Sequence, residues 1–83
     1  MLYALRRFKT HLYLDHLFED TADKLFQGTG LRDAYKYTVE QVAHDVAKRF
    51  AEDLLEPVEI VEVGINPNTL MYEIRQQGLV FGI

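Results

Sequence analysis

The sequence predicts an α+β fold: a small antiparallel sheet of three or four strands with two helices packed on one face. Two stretches carry this expectation. Residues 38–55 repeat apolar side chains at helical spacing, and residues 58–83 break into short β-branched or aromatic runs separated by turn chemistry. A third observation bounds the size. The 83 residues are 48% hydrophobic and include five Phe and five Tyr, so residues 1–83 are expected to form a single domain around one core.

Each element follows from local chemistry. Residues 1–9 fit either a strand with Tyr3 and Leu5 on one face or the opening turns of a helix; as a strand they supply the fourth member of the sheet. A first helix is expected over residues 12–27, with Leu14, Leu17, Phe18, Thr21, Ala22 and Leu25 on one face. Gly28 and Gly30 follow, where a left-handed residue would turn the chain, and residues 28–37 read as a loop. The second helix spans residues 38–55. Val39, Val42, Ala43, Val46, Ala47, Phe50 and Leu54 form its stripe, Thr38 and Gln41 stand at capping-box spacing, and Pro57 stops it. Residues 58–63, VEIVEV, make a strand, and residues 64–69, GINPNT, make a turn. Residues 70–75 alternate as a strand does, with a short helix capped by Thr69 as the competing form. Residues 76–78, QQG, read as a hairpin connection into a last strand, LVFGI.

Composition removes several function classes. There is no Cys and no Ser, so no disulfide framework, no thiolate metal site and neither of the commonest covalent nucleophiles. The net charge of -4 is opposite in sign to that of most nucleic-acid binders. The charge is uneven, however: Arg6, Arg7 and Lys9 lie in the first ten residues with no acid among them. No apolar run approaches the ~20 residues of a membrane span, and no signal-like apolar stretch follows the early cations, so a cytoplasmic protein is expected.

The candidate chemical groups are few. In VEIVEV, strict alternation puts Val58, Ile60 and Glu62 on one face and Glu59, Val61 and Val63 on the other; a bulge would turn both carboxylates outward together. Neither arrangement supplies a partner that would separate two carboxylate pKa values, so both Glu are expected to be structural and solvent-facing. His11, Asp15, His16 and His44 have metal-ligand chemistry but not the spacing, and neither metal nor cofactor is expected. The Gly28–Gly30 pair lacks the offsets of a phosphate loop.

Residues 58–81 resemble the closing part of small MNT-type nucleotidyltransferases. VEIVEV corresponds to a strand with an acidic residue, NPN to a proline-containing loop, and YEIRQQG to the segment after it. The Gly-Ser turn and paired aspartates that hold nucleotide and metal in that family have no counterpart upstream, so the resemblance does not bring the activity with it.

Three functional readings result. The first is a non-catalytic interaction or regulatory module of the adaptor or inhibitor type, binding another protein and self-associating. Its interface is Leu79, Val80, Phe81 and Ile83, on an apolar closing strand at a sheet edge. The second is a small-ligand or nucleotide-binding domain, active as an oligomer, using Glu59, Glu62 and Glu73. The third is a weak nucleic-acid binder using Tyr3, Arg6, Arg7 and Lys9, where cations and an aromatic ring interleave.

Overall fold

The structure, a computed structural model, describes residues 1–15 and 22–82. Five strands, β1 (Leu2–Arg7), β2 (Tyr13–Leu14), β3 (Phe26–Gly28), β4 (Val58–Ile65) and β5 (Tyr72–Phe81), form one antiparallel sheet in the order β3-β2-β1-β4-β5. A four-residue turn of helix, α1 (Ala22–Leu25), precedes β3, and one long helix, α2 (Glu40–Leu54), lies across a single face. This corrects the predicted fold. The α+β class stands, but the described residues form five strands rather than three or four, and one long helix rather than two.

The strands at Tyr13–Leu14 and Phe26–Gly28, where a helix and its end were expected, have a physical explanation. β1 is central and needs a hydrogen-bonded neighbour on each side. β4 satisfies one side from Leu2 opposite Val63 to Arg7 opposite Val58. Part of the segment read as helical satisfies the other, with Tyr13 opposite Arg6 and the Arg7 N–H donating to the Leu12 carbonyl at 2.9 Å. β3 then pairs with β2, and Gly28, read as a helix terminator, is a strand residue beside Tyr13. Leu14, Leu25 and Phe26 are buried, so their apolar spacing serves a sheet as well as it would a helix. Leu17, Phe18 and Thr21, also assigned to that helix, lie outside the described residues.

α2 is where the sequence places it, but its rotation differs. Ala43, Ala47 and Ala51 face the sheet, Val46, Phe50 and Leu54 pack along the flanks, and Val42 is exposed. Small residues on the contact line let the helix approach the strands closely, and the larger ones fill the sides. Phe50 meets the fully buried Phe26 edge-on at 5.1 Å. The predicted capping box does not form: Val39 is the N-cap with no side-chain bond, and Gln41 donates instead to Asp45. The helix ends on Leu55 in the left-handed conformation, φ 55° and ψ 37°, and Pro57 follows.

The far face of the sheet is largely covered by the chain itself. The loop after β3 lays Leu31 and Ala34 against Ala4, Tyr13, Val61 and Val63. Its end is tied to the sheet by Tyr35 N–H to the Leu14 carbonyl at 2.7 Å and by reciprocal bonds between Tyr3 and Tyr37. VEIVEV has apolar residues on both faces because both faces are packed.

β5 runs unbroken through the predicted connection at 76–78. Its register against β4 shifts twice, between Glu59 and Val61 and between Glu62 and Val63, so β5 carries the extra residues as bulges. Gly78 sits at one of them, where an added Cβ would lie 2.8 Å from the Ile60 carbonyl oxygen. The competing short-helix form at 70–75 is absent, and the strand begins at Tyr72. The turn between β4 and β5 is closed by the Asn66 side chain, which accepts from the N–H groups of Asn68 and Thr69.

Candidate functional site

The two glutamates of VEIVEV point to opposite faces, as alternation requires, and meet different fates. Glu59 is 3% exposed and lies directly across from Arg6, which lies across from Tyr13 on the next strand. The Arg6 Nε donates to Glu59 Oε1 at 2.5 Å, and Nη1 donates to the Tyr13 hydroxyl at 3.3 Å. Burial alone would lower the Arg6 pKa, but the Glu59 hydrogen bond and charge, with Tyr13 added, outweigh it and hold the guanidinium more firmly protonated than usual. Glu59 is therefore buried and paired, which corrects the expected solvent-facing placement.

This placement takes apart the basic N-terminal group. Arg6 turns to the far face and is closed off by Glu59. Arg7 turns to the helix face and binds Glu56 through two bonds, Nε to Oε1 at 2.6 Å and Nη2 to Oε2 at 2.7 Å. Those bonds lower the Glu56 pKa, with burial opposing and the charges of Arg7 and Lys9 assisting. Lys9 is exposed, and Tyr3 lies across the sheet from Arg6 beside Glu40. The four residues proposed to meet nucleic acid do not share a surface.

Glu59, Glu62 and Glu73 do not converge either. Glu73 sits near the β4–β5 turn, accepting from Asn66 and paired with Arg75 at 3.1 Å. Glu62 lines a cleft of about 280 Å3 between the start of α2 and strands β1, β4 and β5, together with Tyr3, Glu40, His44 and Gln76. There the Tyr3 hydroxyl donates to Glu40 Oε2 at 3.4 Å, and the other Glu40 oxygen is 3.5 Å from His44 Nε2. Burial, then the charges of Glu40 and Glu62, raise the Tyr3 pKa, so the phenol stays a donor. Glu40 and His44 share a helix face at a spacing of four, which was legible, but their meeting with Glu62 depends on the helix position over the sheet. His11 is exposed in a turn at φ 61°, and His16 lies outside the described residues. Among the described residues no three His, Cys, Asp or Glu are grouped to hold a metal ion.

Of the predicted interface, Leu79 is 57% exposed, but Val80 and Phe81 are half-buried, with the Phe81 ring 5.8 Å from that of His44. Ile83 lies outside the described residues. The larger apolar surface is elsewhere. Leu31, Leu70, Met71 and Tyr72 line a groove of about 660 Å3 with Gly30 and Arg32, where the β4–β5 turn meets the loop after β3. Leu70 is 78% exposed and Met71 67% exposed. Leu70 also adopts a left-handed backbone, φ 59°, which costs a branched side chain about 1–2 kcal/mol. Arg32 is exposed at the rim, and the Lys36 ammonium sits 4.0 Å above the Tyr72 ring. Burial there lowers the Lys36 pKa, with Asp33 pulling it back up. The sequence gives one sign of this groove, the apolar pair Leu70–Met71 directly after a turn.

Comparison of the chain with models of protein families, with curated proteins and with solved structures finds no match in any of the three. Among the described residues no helix is long and apolar enough to cross a membrane.

Proposed function

We propose that this chain is a non-catalytic binding module, of the adaptor or inhibitor type, that docks a protein partner in the groove of Leu31, Leu70, Met71 and Tyr72. One observation carries the reading: Leu70 is both exposed and held in a backbone conformation unfavourable to it. A Gly or Asn at that position would relieve the strain, so the turn keeps an apolar side chain in water at some cost in stability. The cations Arg32 and Lys36 beside the groove suit a partner that places acidic residues next to an apolar anchor. A cytoplasmic setting is part of this reading and rests on a composition without cysteine. Strand addition along β5 is less favoured, because two bulges and the charges of Glu73 and Arg75 interrupt that edge. The test is affinity capture from host extract with wild-type protein and with Leu70→Asn and Met71→Lys. A partner held by wild type and lost from both variants supports the reading; a partner held equally by all three removes it.

A second reading, binding of a small cationic ligand, draws on the cleft of Tyr3, Glu40, His44, Glu62 and Gln76. Two carboxylates and a phenol suit an ammonium or guanidinium group. Titration calorimetry with simple primary amines and guanidines tests it, with Glu62→Gln expected to abolish any heat that wild type gives.

A further inference from the structure

The other end of the molecule presents the converse of this groove. Leu55, the left-handed residue that ends α2, is 90% exposed, the most exposed of the large apolar side chains among the described residues. Glu52 and Asp53 are exposed beside it. It is an apolar knob whose collar carries Glu52, Asp53 and Lys48, two acids to one cation, and Leu70 with its neighbours forms an apolar groove whose rim carries Arg32, Lys36 and Asp33, two cations to one acid. Both turn on a leucine in a conformation that favours Gly or Asn, and both leave that leucine in water. From the reading that the groove docks protein, we infer that its occupant is a second copy of this chain, whose Leu55 seats between Leu31, Leu70, Met71 and Tyr72 while Glu52 and Asp53 approach Arg32 and Lys36.

The topology decides what such a contact builds. Leu55 lies just before Val58, where β4 begins, and the groove includes Tyr72, which pairs with Ile65, where β4 ends. Eight strand residues separate the two by about 24 Å, at ~3.4 Å per residue, along a molecule 38 Å long. Knob and groove cannot meet within one copy. Their contact uses two different patches, so each added copy leaves a free knob at one end and a free groove at the other, and the assembly grows head to tail.

The test uses two variants, Leu55→Asn and Leu70→Asn. Asn tolerates the left-handed region better than Leu, so both are expected to keep the wild-type circular dichroism spectrum and to melt at or above the wild-type temperature. In sedimentation velocity, wild type should form species heavier than 9.7 kDa that grow with concentration and shrink with added salt. Each variant alone should stay at the mass of one chain, because each lacks one patch. An equimolar mixture should give a species of twice that mass and nothing larger, since the intact groove of one fits the intact knob of the other. Wild type that remains a single chain at millimolar concentration overturns the inference, as does a mixture that stays monomeric or a Leu55→Asn protein that grows like wild type. Should wild type stay monomeric while Leu70→Asn still loses a captured partner, self-association falls and the protein-docking reading stands.

Discussion

Replacing Glu59 with Ala would leave Arg6 charged with its principal partner gone, in a place where the two side chains are only 8% and 4% exposed. Breaking a buried ion pair from one side costs about 3–5 kcal/mol, because the remaining charge has lost both its water and its counter-ion. A chain of 83 residues has about 4–12 kcal/mol of stability in total, so this single change should remove a large part of it. Removing the pair altogether is a different perturbation. Arg6→Met with Glu59→Leu fills the row with apolar atoms, and such replacements are neutral or stabilise by about 1–4 kcal/mol. The Tyr13 hydroxyl, at 3.3 Å from Arg6, would then be orphaned at about 1–3 kcal/mol, so Tyr13→Phe completes the apolar row. Urea unfolding followed by circular dichroism measures all of these against wild type. The expected order is Glu59→Ala far below wild type and the triple variant at or above it. Loss of less than about 1 kcal/mol in Glu59→Ala would mean that Arg6 finds water, and the account of this row would be refuted.

Alkaline stability should depend on Tyr37, whose pKa is pushed up to about 12 by burial, with the neighbouring Tyr35 adding to it. The folded value lies above the ordinary 10.0, so its contribution is complete below pH 10 and is lost as pH rises towards 12. Melting temperature should fall over that window, and Tyr37→Phe should reduce the fall; an unchanged slope would contradict the assignment. Tyr3 is also raised and acts in the same direction, so some slope should remain. Gly78→Ala brings a Cβ within 2.8 Å of the Ile60 carbonyl oxygen, whereas Gly30→Ala meets nothing within 4 Å. The first should lower stability by about 1–3 kcal/mol and the second by little, as urea midpoints will show. Phe26→Ala, at a fully buried position, should cost about 3–5 kcal/mol, and a variant that melts like wild type would mean that Phe26 is not core.

Much of the second half of the chain was legible in its sequence. α2, β4 and the turn after it are defined by local spacing, by Pro57 and by Asn66. The helix rotation was not, because hydrophobicity alone ranks Val42 above Ala43, whereas close approach to the sheet selects the alanines. The first half failed at β2 and β3, strands of two and three residues whose existence depends on the open edge of β1, a partner invisible to any local window. Of the candidate site residues, alternation placed Glu59 and Glu62 correctly on opposite faces. It gave no sign that Arg6, 53 positions away, would close over Glu59. The groove escaped for the same reason: Leu31 and Leu70 become neighbours only after the loop crosses beneath the sheet.

The central position of β1 also governs how the chain can assemble in time. Its partner β4 comes late in the sequence: Arg6 and Glu59 are 53 positions apart. The β4–β5 hairpin closes over a short turn, and hairpins of this kind form in about 1–10 μs. Seating β1 requires closing a far longer loop, which carries a greater entropic penalty and slows the search. During synthesis β1 therefore has β2 close behind it to fill one edge, whereas the edge that meets β4 waits for most of the chain. Arg6 and Arg7 have a use in that interval, since two adjacent charges on an unpaired strand oppose its stacking on other strands. In the folded chain the same two cations close the sheet around Glu59 and Glu56.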